Sequence, residues 1–350
     1  MDVKHRSQSA FIALTAVVLA CQPTPTGRSG PAQGQVEASA ATTAQLHAAT
    51  AGAPPASPLN PRAANGPPAA GSVNEPPHAA EPPPSSASEP PYDRNADIER
   101  RSEEIRARFG KHAGVAVVDD AFVLGGSRGA VRQAAPLVRR VLAAYFNGRF
   151  SRRPARPVTV CLFTDSSSYN RFCRDRWASA CDSPYGFYMF QERRIVMNLA
   201  PGIGTLTHEL VHPIVETDFP QAPDWIDEGI ASLFEAFYLY GNNQIGGVRN
   251  WRLPRLRRAL GSKSERDQAR LGRLFGMSDE EFRGPLEDLH YAMARYLCQW
   301  LDSQKKLWPF YQRWRDDYAS DPTGRNAFTE VVGMSPEQAD APWRSWVRAL

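Results

Sequence analysis

The chain has 350 residues, 42% of them hydrophobic, and a formal net charge of +4. That length can bury one large core or two small ones. Its basic residues are spread along the chain, which excludes the massed cationic face that nucleic-acid binding needs.

The chain opens with "MDVKHRSQSAFIALTAVVLAC". A short basic stretch (Lys4, His5, Arg6) precedes an apolar run from Phe11 to Ala20, too short to span a bilayer as a mature helix. Residues 1–20 therefore read as a signal peptide. The run ends in Val18-Leu19-Ala20-Cys21, which resembles a bacterial lipobox, although Leu19 is larger than the residue usual at that place. The resemblance implies that Cys21 is lipidated and becomes the first mature residue. The protein would then be exported and anchored to a bacterial membrane; the plainer alternative is secretion with Cys21 as a bystander. Residues 21–95 are mostly Pro, Ala, Ser and Gly. Such a segment buries too little surface to offset its ordering entropy, and its prolines favour extended conformations. It is expected to be a disordered tether.

A helix is expected over "DRNADIERRSEEIRARFG", ending at Gly110, so the folded domain is set at 96–350. "GVAVV" and "AFVLGG" read as two strands around Asp119-Asp120. "GAVRQAAPLVRRVLAAYFNGRF" carries Val131, Ala135, Val138, Val141 and Leu142 on one helical face. The apolar "PVTVCLFT" reads as a strand, "SSSYNRFCRDRW" as a helix, and "YGFYMFQERRIVMNL" as a hairpin or edge strand. After Pro201 the pattern turns almost wholly helical. Strands early and helices late predict an α+β fold with segregated layers.

Beyond Cys21 there are four cysteines, Cys161, Cys173, Cys181 and Cys298, and no C-x-x-C pair. Cys173 and Cys181 lie close enough in "CRDRWASAC" for a local bridge. Cys161, in an apolar strand, and Cys298, in a helix, suit buried free thiols.

Two stretches compete for catalysis. "GGSRG", Gly125 to Gly129, fits G-x-S-x-G between a strand and a helix, the setting of a hydrolase nucleophile at Ser127. Too few strands follow it for that fold, and a helix cap at Ser127 explains the same residues. The other stretch is "GTLTHELVHPIVETDFPQAPDWIDEGIASLFE". His208 and His212 are four apart, so on a helix, with Thr205 as its cap, their imidazoles converge on one ion. Glu209 is rotated about 100° from His208, where it can reach water beside that ion without being a ligand. Glu228 follows His212 by sixteen positions (228 − 212), after a loop long enough to turn the chain back, with Pro223 in the first turn of its helix. Two imidazoles and one carboxylate leave a fourth position open, which hydrolysis needs.

H-E-x-x-H followed by W-x-x-E-G-x-A resembles the gluzincin zinc metallopeptidases, most closely the bacterial peptidase MA-like domains of zincin-like (thermolysin-like) fold. The resemblance covers most of about Gly114 to Trp346. It implies a small mixed sheet before a mostly helical half, and zinc held by His208, His212 and Glu228. It implies Glu209 as general base and Tyr291 as the phenol facing the oxyanion, with His290 as the adjacent competitor. A peptide or protein is the implied substrate, paired in extended form with an edge strand around Tyr185, Gly186 and Tyr188.

The chain departs from the family in two places. Pro213 directly follows the second histidine and removes one helical N–H. Ser232 stands where an Asp often orients a ligand histidine, leaving Glu235, Asp224 and Asp227 as candidates for that work. Asp227 is also an alternative ligand to Glu228. Trp225 is expected in the core, and the basic run "RNWRLPRLRRAL" on a solvated helix face.

Overall fold

Asp93 opens the first helix, α1 (Arg94–Phe109), by accepting the backbone N–H groups of Asn95 and Ala96. The computed structural model describes residues 91–181 and 183–350. The signal peptide, Cys21 and nearly all of the expected tether lie outside them. The helix starts two residues inside that expected tether, because the cap residue and not the proline content sets its first turn.

Strands β1 (Ala113–Val118) and β2 (Phe122–Ser127) form an antiparallel pair. Asp119 and Asp120 between them take φ of 56° and 48°, which short polar side chains tolerate. Ser127 then caps α2 (Arg128–Tyr145): its Oγ accepts the Ala130 N–H. All five residues of the expected apolar face of α2 are buried.

Strand β3 (Val158–Phe163) is buried along its whole length and runs parallel to β2 on one side and β5 (Arg194–Asn198) on the other. Helix α3 (Ser166–Trp177) follows β3, and β4 (Gly186–Met189) pairs antiparallel with β5. The mixed sheet runs β1-β2-β3-β5-β4, which leaves β4 at an edge. Side chains alternate across β3. Val160 and Leu162 enter the main core, while Cys161 and Phe163 enter a smaller cluster with Phe172 and Phe187. A Cys173–Cys181 disulfide closes the chain beside that cluster, and Cys161 and Cys298 are buried free thiols.

The second half holds α4 (Gly204–Glu209), α5 (His212–Asp218), α6 (Asp224–Leu233), α7 (Arg252–Gly261) and the short α8 (Leu271–Leu274) and α9 (Asp279–Phe282). Then come α10 (Glu287–Ser303), α11 (Leu307–Asp317), α12 (Arg325–Val332) and α13 (Pro336–Ala349). Among the described residues no helix is long and apolar enough to cross a membrane.

This half is not wholly helical. A hairpin, β6 (Phe237–Tyr240) and β7 (Gln244–Gly247), sits between α6 and α7. Phe237 and Leu239 pack on the core while Tyr238 and Tyr240 face out, an alternation only four residues long and easily lost among helices.

The helix that carries Glu228 packs closely on α10, and Gly229 is the reason it can. A Cβ there would stand 2.8 Å from Cys298 Sγ and 3.1 Å from the Ala294 carbonyl oxygen. One turn earlier on the same helix Trp225 stacks on Trp314 at 5.3 Å, a core residue as expected.

Candidate metal centre

The H-E-x-x-H segment is helical but broken. Helix α4 ends at Glu209, α5 begins at His212, and Leu210 and Val211 join them in right-handed helical conformation. Pro213 has no N–H to give the Glu209 carbonyl, and the Val211 N–H bonds the His208 carbonyl three residues back. The tightened turn keeps the imidazoles together, with ring centroids 4.9 Å apart.

Thr205 is not the cap expected of it. It lies inside α4, whose first residue Gly204 abuts the end of the α6 segment: a Cβ there would stand 2.4 Å from the Glu235 carbonyl oxygen. Thr207 Oγ1 holds the junction, donating toward the Gly204 and Phe234 carbonyls, both at 2.6 Å. Pro223 stands one place earlier than expected, as the residue before α6.

These contacts bring His208, His212 and Glu228 together, one ligand atom from each lying within 4.8 Å of the others. His208 Nε2 is 3.3 Å from Glu228 Oε2. Two ligands at zinc bond lengths on neighbouring tetrahedral corners are about 3.4 Å apart. Glu228 Oε2 is buried and makes no hydrogen bond; only the His208 imidazole faces it, a place a cation could take up. The residues present fit a divalent metal.

A carboxylate faces the far nitrogen of each imidazole, and a hydrogen bond there, as His212 has, fixes a ligand histidine's tautomer. His208 Nδ1 faces Glu235 Oε1 at 3.3 Å, and His212 Nδ1 pairs with Asp227 Oδ1 at 3.1 Å. Glu235 thus stands beside His208 where Ser232 left a gap, and Asp227 bonds His212 while Glu228 is the carboxylate grouped with the two imidazoles. Of the three candidate orienting carboxylates, Asp224 alone turns elsewhere, to Arg283.

Two arginines complete the arrangement, and neither was marked by the sequence. Arg252, from the run expected on a solvated face, is buried and grips both oxygens of Glu235 at 3.1 and 2.8 Å. Its neighbour Arg255 pairs with Asp288 and Glu265, and Arg257 with the carbonyls of Val347 and Arg348. These side chains tie elements together. Arg283 reaches Asp224 Oδ2 at 2.7 Å, Glu228 Oε1 at 2.8 Å and the Tyr291 hydroxyl at 2.6 Å.

Glu209 is buried, with Oε2 3.9 Å from His212 Nε2. Tyr291 is buried too, its ring lying under the Arg252 and Arg283 guanidinium groups. The adjacent His290 is turned away, its Nδ1 3.0 Å from the Phe282 carbonyl. Ser127 is spent as the cap of α2, on an element apart from this cluster.

The electrostatics call for positive charge. Burial works against a charged His212, yet Asp227 and Glu228 raise it to about 9. Burial likewise opposes charge on His208, but Glu228 and Glu235 hold it well above its ordinary value. Glu228 stays well below the usual carboxylate range despite burial, held there by Arg283 and the two imidazoles. Glu209 behaves differently: burial raises it, only partly offset by His208 and His212. Of these two buried carboxylates, one is lowered beside the imidazoles and the other is raised by its burial.

No curated protein matches the chain. A family model described as a protein of unknown function (DUF1570) matches residues 202–314, a segment that contains His208, Glu209, His212, Glu228, Arg252, Arg283 and Tyr291.

Proposed function

We propose that this chain is a zinc-dependent peptidase tethered by lipid outside the cytoplasm. The observation that carries it is the approach of His208 Nε2 to the buried Glu228 Oε2, which makes no hydrogen bond, at the separation of two ligands on one ion. Bound there, zinc supplies a Lewis acid that lowers the pKa of water to about 7 and polarises a carbonyl. Glu209, buried and raised in pKa, takes the proton from the attacking water and passes it to the leaving nitrogen. Tyr291 donates its hydroxyl hydrogen bond to the oxyanion. Strand β4 is the sheet edge packed beside α4, which favours an extended peptide as substrate.

The test is metal content measured beside cleavage of an unbiased peptide library, with and without a chelator. Stoichiometric zinc and chelator-sensitive cleavage are expected. Zinc without cleavage favours a metal-stabilised binding or scaffold protein of the envelope. Protein that takes up no zinc overturns the reading.

A further inference from the structure

Glu228 has two oxygens, and they have different occupations. Oε1 accepts from Arg283 Nη2 at 2.8 Å, whereas the buried Oε2 makes no hydrogen bond and faces His208 Nε2 at 3.3 Å. The same guanidinium donates through Nη1 to the Tyr291 hydroxyl at 2.6 Å and through Nε to Asp224 Oδ2 at 2.7 Å. Arg283 is only 11% exposed, and Asp224 is 16% exposed, so this fork is screened little by water. A planar guanidinium holding three acceptors has almost no rotational freedom left.

We propose that Arg283 is the positioning residue of the centre. It restricts Glu228 to one coordinating oxygen and sets the Tyr291 hydroxyl at the same edge of the site. A carboxylate free to rotate can offer both oxygens to a metal, which would fill the position that water or substrate needs. By occupying Oε1, Arg283 keeps that position open. By holding Tyr291 with the neighbouring nitrogen, it fixes the distance between the ligand and the phenol. The inference rests on the metal reading above.

The test is Arg283→Lys in the full chain, with cobalt(II) as the probe in place of zinc. Lysine keeps the charge but cannot hold acceptors in a planar fork. A neutral replacement would be ambiguous, since loss of a cation strengthens the site's pull on a metal while its geometry loosens. Visible cobalt absorption weakens as coordination rises from four to five. Arg283→Lys is therefore expected to bind cobalt with a weaker, shifted band, and its zinc form to lose about 10-fold in kcat with little change in KM. Asp224→Asn frees only the Nε side and is expected to give the same band shift, smaller.

An Arg283→Lys protein with the wild-type cobalt spectrum overturns the proposal and leaves the metal reading standing. If that variant does not fold, Asp224→Asn decides: an unaltered spectrum there overturns it. Wild-type protein that takes up no cobalt and no zinc is a separate outcome, which sinks the metal reading itself.

Discussion

Asp227 and Glu228 are adjacent in sequence and serve different histidines from different sides. Asp227 Oδ1 meets the outer nitrogen of His212 at 3.1 Å, while Glu228 Oε2 meets the inner nitrogen of His208 at 3.3 Å. Successive helical residues diverge by about 100°, so one helix supplies both a ligand and a support. A ligand carboxylate and a supporting one are the two kinds that a histidine metal centre uses.

Zinc that binds the folded state alone stabilises it by mass action, by about 2.7 kcal/mol at a hundredfold excess over Kd. Adding zinc to metal-free protein is expected to raise the melting temperature. His208→Ala should abolish that rise along with turnover. A variant that still shifts with zinc would place the metal elsewhere.

Glu209 is assigned to the water and not to the metal. Glu209→Gln should keep near-stoichiometric zinc while losing at least ~100-fold in rate, the scale of a lost general base. Metal analysis beside turnover checks this. Loss of zinc would make Glu209 a ligand.

Ser127 caps α2, a helix that carries none of the candidate metal residues. Ser127→Ala should cost about 1 kcal/mol of stability, the usual worth of such a cap, and leave the activity of folded protein unchanged. Denaturant melts and specific activity separate the two effects. A folded but inactive variant would revive the serine reading.

The Cys173–Cys181 bridge closes a loop of eight residues' separation beside the smaller core cluster, away from the metal residues. Chain entropy gives such a loop about 2–3 kcal/mol. Replacing both cysteines by serine is expected to lower the melting temperature with zinc content intact. A loss of zinc would tie the bridge to the centre.

Cys21 is proposed to carry the lipid that holds the protein to its membrane. Growth with a labelled fatty acid should label the wild type, and Cys21→Ala should be unlabelled and released to the soluble fraction. Equal labelling of both would leave the anchor without its residue.

The sequence by itself determined whatever depends on neighbours a few residues away. Helical period put His208 and His212 on one face and turned Glu209 aside. Short apolar runs marked the early strands, and a serine between a strand and a helix marked the cap at Ser127. The close cysteines marked their own bridge. The β6–β7 hairpin escaped, because four alternating residues give too short a period to separate from the helices around them. Tertiary structure alone decided which carboxylate faced which imidazole and which arginines joined them. Arg283 meets Glu228 across 55 positions and Arg252 meets Glu235 across 17. A buried ion pair between distant elements leaves no local trace, since each arginine looks in sequence like any charged residue on a helix. It is the packing of α6 against α10, made possible by Gly229, that buries these charges and obliges them to pair.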